Sequence, residues 1–411
     1  MQTETAGQRS WYKNAALFLA SQTVSLFGSS LVQYAIMWYI TIETQSGVMM
    51  TISIICGFVP MFFLSPIAGV WADRYNRKRL IIVSDAMIAV TTLILAILYL
   101  FGYGSIWLLF AASALRAVGS GVQTPAVGAI LPQIVPDAQL TRINGINGSI
   151  QSAIMIVSPM ASGALLTAMP IETIFFIDVV TAVVAIFILS VPLQVAPHKK
   201  SLEKQELDYF GDMREGLIYI SNHRFVRSFF AFFGVFFVFI TPLAFLTPLQ
   251  VTRSFGNDVW RLTAIEIAFA VGMMLGGGLI AIWGGFKNRV YTLVLSSLVF
   301  GVCSIALGIV GVFWLYLIVM FIAGIVMPLF NTPATVLLQE KVEENYLGRV
   351  FGVMGMISTS VMPLSMLVFG PMADYVRIEW MLLISGLVMI AMSVILKNHK
   401  VLVQAGEPTV G

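Results

Sequence analysis

The fold class of this chain follows from one short stretch of its sequence, Gly69-Val70-Trp71-Ala72-Asp73-Arg74-Tyr75-Asn76-Arg77-Lys78-Arg79. Its last seven residues carry five charges, four of them positive, between the apolar runs 51–70 and 80–100. A charged stretch between two segments long enough to cross a bilayer is a short loop at a membrane face. The excess of Lys and Arg assigns this face to the cytoplasm.

The composition agrees with a protein that crosses the membrane many times. Of the 411 residues, 58% are hydrophobic and only 10% are charged, whereas a soluble domain carries about 25% charged residues. Both cysteines lie in apolar segments and the three histidines lie in polar loops. We therefore predict no disulfide framework and no metal site, and we expect neither a cofactor nor a nucleic-acid partner.

Segments of about 20 apolar residues predict twelve membrane-spanning helices and an all-α fold. The predicted spans cover residues 15–41, 49–72, 80–101, 106–130, 145–168, 174–194, 228–250, 263–284, 290–311, 314–338, 350–372 and 380–396. The one long polar link contains an amphipathic helix, predicted near 206–221. The predicted domains are a six-helix half at 1–194, a cytoplasmic linker at 195–227 and a second six-helix half at 228–411.

The distribution of basic residues predicts the orientation of the chain in the cell membrane. With both termini and the 73–79 loop in the cytoplasm, most of the 23 Lys and Arg residues fall on that side. Because cytoplasmic loops are enriched in Lys and Arg, we expect a multi-pass protein with cytoplasmic N- and C-termini.

Weak internal similarity relates the two predicted halves. Thr124-Pro125-Ala126 recurs as Thr332-Pro333-Ala334, and Arg142 recurs as Arg349, at nearly the same separation. Ordered matches of this kind predict two parallel halves with a substrate path at their interface. The alternative is chance similarity between apolar segments.

Four ionisable residues lie inside predicted spans: Asp85, Arg116, Asp178 and Glu266. Each costs at least about 2.5–3.5 kcal/mol on insertion scales, so each needs a partner or a water-filled cavity. Asp85 lies close to the end of span 3 that follows the basic loop. We expect it to be structural, paired with that loop or with a neighbouring helix end.

The other three are candidates for proton coupling. A buried carboxyl group such as Asp178 or Glu266 can bind and release a proton, and Arg116 can tune a nearby carboxylate. The alternatives remain open at this point. Arg116 can instead clamp helix ends and backbone carbonyls, and the two acids can be hydrated and inert near the outer interface.

Neutral polar residues form stripes on spans 1 and 5, and a single asparagine lies in span 10. Spacing of three to four residues puts them on one helical face. Such a stripe lines a cavity or hydrogen-bonds a neighbouring helix, and the sequence leaves both open. The candidate substrate-cavity residues are Gln22, Ser25, Gln33, Asn147, Gln151 and Asn331.

Enzymatic signatures are absent from the sequence. The chain contains no G-x-x-x-x-G-K-[ST] phosphate-binding loop and no nucleophile elbow. It also has no predicted soluble domain large enough for an active site. We therefore expect neither an enzyme nor an ATP-driven pump.

The motifs resemble those of the major facilitator superfamily. The 69–79 loop is similar to the loop signature of that family, and Arg116-x-x-Gly119 resembles its second motif. Ser158-Pro159-x-x-x-Gly163 resembles its antiporter motif, with serine in the place of the usual glycine. The resemblance covers all twelve spans and implies two six-helix halves that rock about a central site.

The resemblance also implies that the 69–79 loop is a conformational latch, which closes the cytoplasmic side in the outward-open state. Gly69 would permit close approach of helices, and Asp73 would bond the N-terminal end of a neighbouring helix. Arg74, Arg77 and Arg79 complete this set. The weaker second copy at 287–289 lacks an acidic residue, so the predicted latch is asymmetric.

Further stretches resemble the macrolide-efflux branch of the drug:proton antiporters, at 22–26, 136–141, 150–152, 157–159, 339–341 and 346–351. This resemblance implies a monomeric exporter in membrane lipid that exchanges small hydrophobic antibiotics for protons. Siderophore and lysophospholipid transporters share much of the pattern and remain alternatives. An alternative of another class is a non-transporting membrane receptor or scaffold.

Overall fold

The computed structural model describes residues 2–191 and 209–407, and these residues form helices and short connections without a strand. The helices are α1 Gln2–Thr44, α2 Gly47–Arg74, α3 Arg77–Leu100, α4 Ile106–Ile134, α5 Asp137–Ala168, α6 Ile171–Ser190, α7 Tyr209–Asn222, α8 Arg224–Thr241, α9 Thr247–Phe255, α10 Val259–Trp283, α11 Arg289–Ile309, α12 Phe313–Lys341, α13 Glu344–Tyr375, α14 Ile378–Asn398 and α15 Lys400–Ala405.

Among the described residues, twelve helical segments are long and apolar enough to cross a membrane. Each matches one predicted span, so the prediction of an all-α membrane protein is confirmed. The amphipathic helix predicted near 206–221 corresponds to α7. Residues 192–208 of the predicted linker lie outside the described residues.

The seventh span differs from its prediction because it is not one continuous α-helix. It runs Arg224–Phe255 and contains a π-helical turn, Pro242–Leu246, between α8 and α9. Proline lacks a backbone N–H and its ring clashes with the preceding turn of an α-helix. The wider turn lets the chain continue past Pro242, and such turns are frequent at functional sites.

Two histidines cap the N-terminal ends of helices. The Nδ1 atom of His223 accepts the backbone N–H of Val226 at the start of α8, at 3.4 Å. His399 does the same for Leu402 at the start of α15. Both are N-caps, which satisfy otherwise unpaired backbone donors. The third histidine, His198, lies outside the described residues.

The chain divides into two compact units. The first comprises Met1–Glu43 and Ile52–Gln205, and the second comprises Thr44–Thr51 and Glu206–Gly411. In the first unit α3 packs against α4 and α6. In the second, α10 packs on α12, and α11 packs on α12 and α14.

Glycines allow α10 and α12 of the second unit to approach closely. A Cβ on Gly272 or Gly276 would overlap the backbone carbonyl oxygens of Phe321 and Ile325, respectively. The reciprocal glycine, Gly324 of α12, faces α10 in the same way. Small residues at such crossings let helix backbones come into van der Waals contact, which holds membrane helices together.

Candidate ion-coupling site

The deepest charges of the first unit form a buried ion pair. Arg116 of α4 donates from Nη1 to Oδ2 of Asp178 on α6, at 2.5 Å. The two residues are 5% and 1% exposed. The sequence predicted both as coupling candidates without placing them together. Each supplies the opposite charge that the other needs inside the membrane.

Two further helices complete the site. Thr92 of α3 accepts a hydrogen bond from Arg116. Its hydroxyl group donates to Oδ2 of Asp178 at 3.1 Å. The Nη2 atom of Arg116 donates to the backbone carbonyl of Ser29 on α1, at 3.2 Å. The site therefore joins α1, α3, α4 and α6 through one guanidinium and one carboxylate. Arg116 therefore pairs with an acid and also binds a backbone carbonyl, and its part in proton coupling stays a prediction.

The predicted partners of Asp85 are wrong. Its Oδ1 atom accepts from the hydroxyl of Ser25 on α1 and from the amide of Gln123 on α4, both at 2.7 Å. The side chain contacts neither the basic loop nor a helix end. Asp85 lies eight residues after Arg77, about 12 Å along the helix axis, and it is directed towards α1 and α4. Hydropathy and distance along the chain carry no information about this direction.

Glu266 is the acidic residue of α10 in the second unit. Its side chain is half-buried. Among the described residues it has no hydrogen-bond or ion-pair partner. It therefore differs from Arg116 and Asp178, whose charges are compensated within the first unit.

The basic loop binds carbonyl groups at the ends of three helices of its own unit. Arg77 donates from Nε to the carbonyl of Ala72 at 2.9 Å and from Nη1 to that of Ala129 at 2.8 Å. Lys78 donates from Nζ to the carbonyl of Ser190 at 3.1 Å. These carbonyls belong to the C-terminal parts of α2, α4 and α6, where a positive charge is favoured by the helix dipole.

The other predicted latch residues are less engaged. Asp73, 51% exposed, makes a 3.5 Å contact with Arg77 and no predicted bond to a helix N-terminus among the described residues. Arg74 and Arg79 have exposed side chains. No described atom lies within 4 Å of the position that a Cβ on Gly69 would occupy. The close approach predicted at Gly69 is therefore not seen in this conformation.

The predicted substrate-cavity residues separate into two groups. Gln22 and Ser25 are buried, and Ser25 hydrogen-bonds Asp85 of the neighbouring helix α3, which is one of the two alternatives that the sequence left open. The side chains of Gln33 and Gln151 are exposed, and those of Asn147 and Asn331 are half-buried. The spacing of three to four residues places these side chains on one face of a helix. It does not show which part of that face packs against another helix.

Twelve helices of the described residues are long and apolar enough to span a membrane, and they define a multi-pass membrane protein. The family model described as Major Facilitator Superfamily matches residues 17–366. The chain therefore belongs to the major facilitator superfamily, as its motifs indicated.

Relatives that are named as efflux proteins or transporters match this chain along nearly its whole length. Macrolide efflux protein A of Streptococcus pyogenes is 29% identical, covering 92% of this chain and 93% of the relative. The Staphyloferrin A transporter of Staphylococcus aureus is 25% identical, covering 87% and 89%. The Multidrug efflux pump Tap of Mycobacterium bovis is 23% identical, covering 88% and 87%.

Solved structures support the same fold. The nucleoside transporter NupG superposes with a TM-score of 0.70 at 13% identity, covering 94% of this chain and 98% of that one. A POT family transporter gives 0.69 at 13% identity, covering 94% and 96%. At this identity the likeness concerns the fold alone.

Proposed function

We propose that this protein exports small hydrophobic molecules, macrolide-like antibiotics among them, in exchange for protons. The observation that carries the proposal is the similarity, over nearly the full length, to relatives named Macrolide efflux protein A and Multidrug efflux pump Tap. Membership of the major facilitator superfamily supports secondary transport rather than enzymatic catalysis. The binding site would open alternately to the two sides of the membrane.

The Arg116–Asp178 pair supports the proton-coupling part of the proposal. A proton on Asp178 would remove the charge that balances Arg116 and leave a guanidinium buried without an anion. Because an uncompensated buried charge is strongly unfavourable, protonation would favour a rearrangement of α4 and α6. Glu266 is the corresponding candidate in the second unit, where its carboxyl group has no partner among the described residues.

Substrate contact is proposed for the polar residues that are not fully buried: Gln33, Asn147, Gln151 and Asn331. Gln22 and Ser25 are assigned instead to helix packing. The protein would act as a monomer surrounded by lipid.

The latch and the orientation complete the proposed mechanism. Gly69, Asp73, Arg74, Arg77 and Arg79 would stabilise one conformation of the cycle, with the 73–79 loop and both termini in the cytoplasm. Thiol labelling tests the orientation, after Cys56 and Cys303 are replaced. A cysteine introduced at Tyr75, which is exposed, should react with a membrane-impermeant reagent in inverted vesicles and not in intact cells. The reverse pattern would exclude the proposed orientation.

Accumulation of erythromycin, a macrolide probe, tests the transport function. Cells that express the protein should retain less labelled erythromycin than cells without it, and a protonophore should abolish the difference. Glu266→Gln and Asp178→Asn should each lose export, whereas Asp258→Asn, at a largely exposed aspartate, should keep it. An unchanged difference in the presence of the protonophore would refute proton coupling while leaving export intact.

A second candidate function is transport of a siderophore, favoured by the similarity to the Staphyloferrin A transporter. A lysophospholipid transporter of the same fold is its close alternative. An unbiased comparison of metabolites inside and outside cells, with and without the protein, separates these substrates from drugs. A receptor or scaffold would produce no flux in proteoliposomes with or without a pH gradient.

A further inference from the structure

The first unit contains another buried acid that the proposed function does not use. Asp85 is 2% exposed, and its Oδ1 atom accepts both of its hydrogen bonds, from Ser25 and Gln123. Its Oδ2 atom is buried and has no hydrogen-bond partner. Buried polar atoms are nearly always hydrogen-bonded, so an unpartnered carboxylate oxygen requires an explanation.

The immediate surroundings of Asp85 provide no positive charge. Ser25 and Gln123 are neutral, and no Lys, Arg or His side chain contacts Asp85 among the described residues. Gln22 lies one turn from Ser25 on α1, and its buried amide nitrogen also lacks a partner. An ionised Asp85 would therefore be a buried carboxylate held only by neutral donors, which is an expensive state inside a membrane.

The Arg116–Asp178 pair lies near Asp85 along both α3 and α4. Thr92 follows Asp85 by seven residues on α3, and Arg116 precedes Gln123 by seven residues on α4. Seven residues are two helical turns, about 10 Å, so the two sites lie on the same faces of both helices. Because Thr92 is hydrogen-bonded to Asp178, the carboxyl group of Asp178 lies about two helical turns from Asp85, and two negative charges repel each other in a region of low dielectric constant. As a like charge, ionised Asp178 favours a proton on Asp85.

The atoms around Asp85 favour a proton over a metal cation. A bound cation needs several oxygen ligands directed at it. The group that Gln123 presents to Asp85 is its NH₂ donor, and the unpartnered atom of Gln22 is also its amide nitrogen. Donors of this kind repel a cation. A proton needs only the free oxygen atom.

We propose that Asp85 is a proton-binding site, with the proton carried on Oδ2, and that it is electrostatically linked to the Arg116–Asp178 pair. The step is a simple protonation of the carboxylate. When Arg116 neutralises Asp178, the tendency of Asp85 to hold a proton decreases, and when the pair separates it increases. This inference rests on the proposed proton coupling, and it adds a second site to the first unit.

Infrared difference spectroscopy on the full-length protein in lipid nanodiscs tests proton binding without any substrate. Raising the pH should remove a carbonyl band of a protonated carboxylic acid, and Asp85→Asn should lack this band. The control Asp258→Asn should retain it. Persistence of every acid band in Asp85→Asn would overturn the proposal, whether or not the protein exports drugs.

Two further measurements keep the test decisive. Should Asp85→Asn fail to fold, Ser25→Ala and Gln123→Met, which each remove one donor to the carboxylate, should move the midpoint of that band to higher pH. An unchanged midpoint in both variants would contradict the assignment. The band should be the same in sodium and in choline buffers; a change specific to sodium would indicate a cation site instead.

Transport in proteoliposomes connects the site to coupling. Uptake of erythromycin driven by a pH gradient should fall at least tenfold in Asp85→Asn, while exchange of erythromycin without a gradient should continue. Full gradient-driven uptake in this variant would exclude Asp85 from the coupling mechanism. Absence of all erythromycin transport in the unmodified protein would refute the proposed substrate but leave the infrared result unaffected.

Discussion

Gly28 of α1 lies directly against the carboxyl group of Asp178: a Cβ on Gly28 would be 2.9 Å from Oδ1. The same Cβ would overlap the hydroxyl group of Thr181, one turn further along α6. The absence of a side chain at Gly28 therefore lets α1 approach the ion-pair site. The carbonyl of the next residue, Ser29, is the one that Arg116 binds.

Substitution of this glycine should disturb the ion pair without removing a charge. Gly28→Ala should destabilise the protein by about 1–3 kcal/mol, the usual cost of overpacking, and should slow proton-driven export. Thermal unfolding of the purified protein and transport in proteoliposomes measure the two effects. Gly128→Ala is the matched control, because no described atom lies within 4 Å of its added Cβ. Equal behaviour of the two variants would contradict the close contact.

Removal of one partner of the Arg116–Asp178 pair should be more harmful than removal of both. Either Arg116→Met or Asp178→Leu leaves a buried charge uncompensated and should lower the free energy of unfolding by about 3–5 kcal/mol. The double variant should recover much of this loss, because a buried pair is often replaceable by apolar residues. A double-mutant cycle from unfolding curves gives the coupling between the two sites.

The same double variant separates a structural role from a coupling role. A folded double variant should bind substrate and exchange it without a gradient, yet fail to use a pH gradient. Restored gradient-driven export would assign the pair to structure alone.

The crossing of α10 and α12 should tolerate no enlargement at its glycines. Gly276→Ala places a methyl group against the carbonyl of Ile325, so we expect a loss of about 1–3 kcal/mol and poor yield of folded protein. The neighbouring Gly277→Ala meets no described atom within 4 Å and should be neutral or slightly stabilising. Thermal unfolding of both variants measures the difference, and similar melting curves would argue against the close crossing.

The basic loop should divide into a structural part and a conformational part. Arg77→Ala removes donors to two helix carbonyls and should lower stability by about 1–3 kcal/mol. Asp73→Asn, at an exposed residue, should leave stability and substrate affinity nearly unchanged and reduce turnover. Equilibrium binding of labelled erythromycin and its transport rate distinguish the effects. Loss of binding alone in Asp73→Asn would exclude the latch.

The sequence by itself determined the class of the fold. Hydropathy is a property of consecutive residues, and a span needs about 20 of them, so all twelve spans could be located without a structure. The break at Pro242 was missed because a helix can pass a proline in several ways, and the surrounding packing selects among them. The motifs at 69–79 and at Arg116 were sufficient for the family.

Only the tertiary structure decided which buried polar groups meet. Arg116 and Asp178 were recognised separately by their cost in the membrane, but their pairing depends on how α4 and α6 are rotated about their axes. Asp85 was assigned to the wrong partners for the same reason. Its position along α3 follows from residue number, whereas its contact with Ser25 and Gln123 follows from packing. Depth in the membrane is encoded locally, and the direction of a side chain is fixed by the helices that surround it.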